Sequence, residues 1–239
     1  MKKILLLALI AGFSFTTARS QVLIALVFGD KLNTPNIEFG LNVGGNFTTL
    51  KNHPEAKYVN GLNLGLYFNF KLSEHIYLHP ELQFLNKMGT RGIDYRDLPV
   101  QILPDDETLK TWRELDYMTL VLLPRYKLTN QLYFEAGIHG SYLKSADDLF
   151  IIKPEDKAEL AYKKFIRSEI TRMDVGFDVG LGYKFKQGEG VNLSLRYSHG
   201  FINTLKDENL RAEHNRGIHI QVGIPIGVGK ADVAKQLGD

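Results

Sequence analysis

Strict alternation of apolar with polar or small residues constrains this chain more than any other feature. In "RMDVGFDVGLGYKF", residues 172–185, every second residue from Met173 to Phe185 is apolar or aromatic. The residues between are Asp174, Gly176, Asp178, Gly180, Gly182 and Lys184. Period two is the mark of a strand with two unlike faces. The same alternation runs through 37–47, 58–72, 76–84, 132–142, 191–201 and 218–226. An eighth segment, 115–128, is apolar on both faces in its middle; Met118, Leu120, Leu122, Tyr126 and Leu128 are assigned to its apolar face. No segment approaches the roughly 18 apolar residues of a transmembrane helix, so any membrane residence must use strands.

The connections alternate in length. Ser73-Glu74, Thr129-Asn130 and 186–190 are short, whereas 49–57, 89–111, 145–170 and 203–214 are longer. That is the pattern of a meander whose tight turns lie on one side, as in outer-membrane barrels with short periplasmic turns and long outer loops. The 145–170 connection starts near Pro154 and then carries good helix formers, which suits either a short helix or a solvated irregular loop. Pro80 and Pro124 each remove a ladder donor. They mark either one locally broken ladder or two unrelated strand ends.

A soluble barrel is apolar inside and a membrane barrel is apolar outside. The polar faces here carry glycines together with charges of both signs, which suits a crowded lumen. Glu38, His79, Glu81, Glu135, His139, Asp174, Asp178, Arg196 and His219 are expected there as a structural polar network. Buried charges of this kind must pair with one another. Aromatics on the apolar face sort to strand ends. Phe39, Phe68, Phe70, Tyr126, Phe134, Tyr183 and Phe185 fall at one end, and Phe47, Tyr58, Tyr142 and Phe201 at the other. Two such belts are expected to be lipid-facing girdles. The expected fold is therefore all-β, an eight-stranded antiparallel up-and-down transmembrane β-barrel.

The N-terminus reads as a signal peptide over 1–20. Lys2 and Lys3 precede a short apolar run, and Ala18-Arg19-Ser20 gives small residues at cleavage spacing. Residues 21–35 are expected to form a periplasmic segment, 36–228 the barrel and 229–239 a polar tail. Together these features imply export to the outer membrane of a Gram-negative bacterium. The net charge is +2 and cysteine is absent, so nucleic-acid binding and cysteine metal sites are excluded. No metal-ligand or phosphate-loop spacing occurs, no cofactor is expected, and no catalytic residue is assigned. Ser198 and His199 point to opposite faces of one strand and cannot act as a pair there.

The blocks 23–47, 115–128, 132–143, 173–185 and 195–205, among them "LDYMTLVLLPRYKL" and "LYFEAGIHGSYL", resemble the PorT-like outer-membrane β-barrel family of Bacteroidota. The resemblance spans essentially the whole mature chain and implies an eight-stranded outer-membrane barrel. For most members it implies no established activity; the name-giving member is tied to type IX secretion. The last strand, "GIHIQVGIPIGVG", lacks the terminal aromatic often used in assembly, so the assembly signal is expected to be internal or weaker. The function expected is that of a structural or interaction protein with a filled polar lumen. Its partners are membrane lipids, the barrel-assembly machinery during insertion, and envelope proteins met through loops 89–111 and 145–170. An accessory role in type IX secretion and a small lipid-modifying enzyme are the alternatives.

Overall fold

Among the described residues nine strands form, and eight of them close a ring. They are β1 (Ile37–Lys51), β2 (Val59–Lys71), β3 (Ile76–Arg91), β4 (Leu109–Lys127), β5 (Leu132–Ile152), β6 (Leu160–Phe165), β7 (Met173–Lys184), β8 (Asn192–Gly200) and β9 (His214–Pro225). The computed structural model describes residues 32–53, 55–93, 109–152, 160–186, 190–207 and 209–226. The expected leader 1–20, residues 21–31 of the N-terminal segment and the tail 229–239 lie outside the described residues. No described helix is long and apolar enough to cross a membrane.

Every neighbouring pair is antiparallel. Chain order holds from β1 to β5, β5 pairs with β7, and β9 returns to pair with β1 from Gly40↔Pro225 to Lys51↔His214. Closure leaves no open edge in the ring, the condition for a sheet to cross a bilayer. Strand β6 is not a stave of the ring. It pairs with the upper part of β5, from Asp147↔Phe165 to Ile152↔Leu160.

The strands on one side run far past the ring. β3, β4 and β5 have 16, 19 and 21 residues, against 9 in β8 and 12 in β9. A tilted strand crosses a bilayer in about 9–11 residues. The expected loops 89–111 and 145–170 are corrected accordingly, because 89–91, 109–111, 145–152 and 160–165 are strand. Neither a helix nor an irregular loop describes 160–165, because its backbone is taken up by the β5 ladder. Pro154 and the helix considered beside it lie outside the described residues.

Two bulges hide these extensions. Gly65 pairs with Gln83 while Leu64 pairs with Leu85, and Tyr117 pairs with Leu143 while Asp116 pairs with Ser145. One extra residue exchanges the two faces, so the alternation breaks at Phe84 and at Lys144 although each strand continues. The prolines lie close together in the ladder, with Pro80↔Leu122 and Leu78↔Pro124 in register. The β4–β5 register stops at Leu122↔Ile138 and resumes at Arg125↔Glu135. Pro124, lacking a donor, sits in that break.

Side chains fill the ring. Tyr67 and Tyr133 turn inward and are buried. Each ring lies over a glycine of the neighbouring strand, and a Cβ on Gly40 or Gly182 would overlap it. The inward glycines thus make room for the tyrosines. At the long-strand end the filled polar lumen gives way to apolar side chains. There Leu50, Met88, Leu115, Tyr117, Leu143, Ala146, Ile166 and Ile170 form an apolar stopper, with Leu205 packed against it. Ile166 and Ile170 come from the connection between β6 and β7, which folds over the mouth.

Candidate functional site

The inward polar residues form a stack of layers. At the short-turn end, Glu38 of β1 accepts from Asn69 Nδ2 at 2.7 Å and from the Tyr67 hydroxyl at 3.3 Å, and pairs with Lys184 of β7. Arg125 of β4 stacks over the Tyr133 ring at 4.5 Å and donates to Glu135 Oε2 at 2.7 Å.

The next layer centres on Arg196 of β8. Its Nε donates to Glu135 Oε1 at 2.9 Å and its Nη1 to Glu81 Oε2 at 3.2 Å. Glu81 also accepts from Gln83 at 2.7 Å and from Gln221 at 3.1 Å. His79 Nδ1 lies 2.7 Å from Asn69 Oδ1, and its Nε2 lies 3.4 Å from Glu81. All four of these charged or imidazole side chains are buried. Two cations and two carboxylates, Arg125, Arg196, Glu81 and Glu135, therefore balance in charge, as burial demands.

Above them, His139 Nδ1 meets Asp178 Oδ2 at 2.7 Å and His219 Nδ1 meets Asn46 Oδ1 at 2.7 Å. Asp174 accepts from Asn215 at 2.8 Å. A cavity of about 10 Å³ opens beside Gln83, His139, Asp178, Arg196 and His219, the size of roughly one water.

The stack brings together what the sequence kept apart. Glu81 and Glu135 lie on β3 and β5, with β4 between, and Arg196 joins them. Arg125, Tyr67, Asn69, Tyr133 and Gln221 were not singled out from the sequence, yet they complete the network. Their signal was parity alone: each falls on the inward set of its strand. Arg125 was masked by the apolar run around it.

Catalytic geometry is not present in this cluster. Ser198 Oγ and Asp178 both approach His139 at Nδ1, at 3.5 and 2.7 Å. A nucleophile triad needs serine and carboxylate on opposite imidazole nitrogens. Ser198 turns inward and His199 sits outside among Phe177, Tyr197 and Phe201. Among the described residues no three His, Cys, Asp or Glu groups converge as metal ligands would.

A second cluster ties the mouth. His53, between β1 and β2, meets Glu213 Oε1 at 2.6 Å through Nδ1 and the Gly92 carbonyl at 3.2 Å through Nε2. Arg113 of β4 lies 3.7 Å from the other Glu213 oxygen and binds Asp148 of β5 with two contacts of 2.7 and 2.8 Å. Hydrogen bonding to Glu213 raises the His53 pKa above its ordinary 6.5, against the opposing effect of burial.

The outer wall is apolar. Tyr126, Phe134, Tyr183 and Phe185 are exposed toward the short-turn end, as are Phe47, Tyr58, Tyr142 and Phe201 toward the other; Phe68 and Phe70 are half-buried. Phe39 keeps its outward parity, opposite Phe68, but is covered, being 2 % exposed. Its ring packs on Phe68 at 4.9 Å, and Asn33 folds back to accept from its N–H at 2.7 Å.

Residues 29–206 match the outer membrane protein beta-barrel domain family. The chain belongs to that family. Membership implies residence in the outer membrane. Among curated proteins no sequence relative matches. Several solved structures are similar to this barrel. Ail, the attachment invasion locus protein of Yersinia pestis, shares 11% identity over 81% of this chain and 100% of its own, with a TM-score of 0.42. Neisserial surface protein A shares 7% over 78% and 96%, also at 0.42. The outer membrane protein OprG from Pseudomonas aeruginosa shares 10% over 79% and 91%, at 0.35. The assignment rests on the closed strand ladder and the family match.

Proposed function

We propose that this outer-membrane barrel is sealed and non-enzymatic, and that it acts as a structural or interaction protein through the ledge built by β3 to β6. The observation that carries the reading is the continuity of β5. One strand bears Glu135 in the packed lumen and Phe150 in the projecting hairpin, so the ledge is an extension of the wall. Tyr162 and Phe165 of β6 are exposed at its edge. Among the described residues the paired charge layers and the apolar stopper fill the lumen, which supports the non-conducting part of the reading. The outward apolar residues meet lipid in this reading, with aromatic girdles at both ends except at Phe39. The ledge then lies on the outer side, as the long connections of such barrels do. Export through the leader at 1–20 and insertion by the barrel-assembly machinery complete the pathway.

The resemblance to PorT-like barrels of Bacteroidota supports an envelope partner. An accessory place in type IX secretion is the narrower form of the same proposal. A photo-crosslinking amino acid placed at Tyr162 or Phe165 in intact cells tests it. Adducts of discrete mass there, and none from Leu120 or Ile138, are expected; secretion-machine subunits in the adducts would select the narrower form. Crosslinks from neither ledge position, or a steady ionic conductance of the purified barrel, would overturn the proposal.

A further inference from the structure

Four basic side chains gather outside the ring near the long-strand ends of β1, β8 and β9: Lys51, His199, His214 and Arg216. The register sets His199 against Arg216 and Lys51 against His214. Directly opposed side chains of antiparallel strands stand about 4.5–5.5 Å apart at Cβ, and like charges there are destabilising. Arg216, Lys51 and His214 all act electrostatically on His199.

Among the described residues, no acidic side chain is paired with any of the four. Just below this arc stand Phe47, Ile218 and Tyr197, all exposed and uncharged. The nearby Asp174 is turned inward to Asn215. Arg216 Nε and His214 Nδ1 are also shielded from solvent without a hydrogen-bond partner. Nitrogens so placed on basic groups are costly unless an acceptor reaches them.

Resting on the lipid-facing reading of the wall, we infer that this arc binds the phosphorylated headgroup of an outer-leaflet lipid. The phosphate oxygens accept from Arg216, Lys51 and the two imidazoles. The acyl chains lie along Phe47, Ile218 and Tyr197 below the cations, where the Tyr197 ring packs 6.1 Å from that of Phe177. The apolar wall directly below the cations favours a lipid over a free anion, because it offers the chains a surface at the matching depth.

The test uses the whole mature protein in phosphatidylcholine nanodiscs doped with a diphosphorylated lipid A. Lipid retained after transfer to non-ionic detergent is counted by native mass spectrometry. Lys51→Gln with Arg216→Gln is expected to lower retention roughly thirtyfold, from the typical worth of two basic residues at a membrane surface. Lys71→Gln with Lys127→Gln, at the short-turn end, is expected to leave it unchanged. Equal retention by the parent and the first pair, or equal loss in both pairs, would overturn the inference. Displacement of the lipid by inorganic phosphate alone would overturn the lipid as the source of the anion. Boiling-dependent gel mobility reports folding of each variant; if the first pair does not fold, His199→Gln takes its place with the same criterion of lost retention. A parent protein without that mobility shift and unable to enter nanodiscs would instead overturn the barrel reading beneath, and this inference with it.

Discussion

Arg196 reaches across a whole strand to Glu135: β7 lies between their strands in the ring, and yet the guanidinium Nε stands 2.9 Å from the carboxylate. The contact exists because both side chains leave the wall and meet inside the lumen. With Glu81 held by the same guanidinium, three staves of the barrel converge on one buried cation. Arg196→Met leaves two buried carboxylates with fewer partners and is expected to destabilise the fold by about 3–5 kcal/mol. Adding Glu81→Gln and Glu135→Gln to it should recover part of that loss. Urea unfolding in lipid vesicles measures both; an Arg196→Met protein as stable as its parent would remove the network from the stability argument.

The His53–Glu213 contact makes the mouth sensitive to pH. The folded-state pKa of His53 lies above 6.5, its ordinary value. The contribution is therefore fully present below pH 6.5 and is lost as pH rises through the raised folded value. Limited proteolysis of the connections at 52–58 and 201–213 should accelerate across that interval. His53→Gln should remove the pH dependence, and a rate that falls with rising pH would reverse the assignment.

Two glycines of β5 make opposite predictions. A Cβ on Gly137 would run into the Leu122 carbonyl oxygen, whereas one on Gly140 meets open space. Gly137→Ala is expected to cost about 1–3 kcal/mol through overpacking at the Pro124 break. Gly140→Ala should stabilise by about 0.5 kcal/mol, since a strand interior favours alanine over glycine. Paired unfolding midpoints decide it, and two equal shifts would contradict the close approach at Gly137.

Ile138 lies midway along the outer wall and is 59% exposed. If that face meets lipid, Ile138→Arg should cost about 2–4 kcal/mol of folding free energy in vesicles. A water-facing wall would tolerate the same change with almost no effect. The folding free energies of the variant and its parent in phosphatidylcholine vesicles separate the two environments.

Much of the ring was legible because period two assigns every residue to a face. The inward set containing Glu81, Glu135, Asp178 and Arg196 follows from parity. What parity could not reach was the continuation of strands past their bulges. At Phe84 and Lys144 the faces exchange, so a reader of alternation stops where the backbone does not. Asp147 and Asp148 are consecutive and both buried, Asp148 under Arg113 of β4 and Asp147 beside Lys163 of β6. Pairings between non-neighbouring strands, such as Arg196 with Glu81, depend on ring curvature and side-chain reach, which no single strand encodes. Parity also puts Phe39 on the outward face, and no strand pattern shows Asn33, six residues upstream, returning to its N–H.

The ledge rises from one arc of the ring only, since β8 and β9 stop short. A barrel without it would look alike from every direction in the plane of the bilayer. This one has a front. A neighbour that grips β6 therefore fixes the rotational setting of the barrel about the membrane normal as well as its distance. Because the gripping surface is already ordered as sheet, that neighbour pays little conformational entropy to take hold.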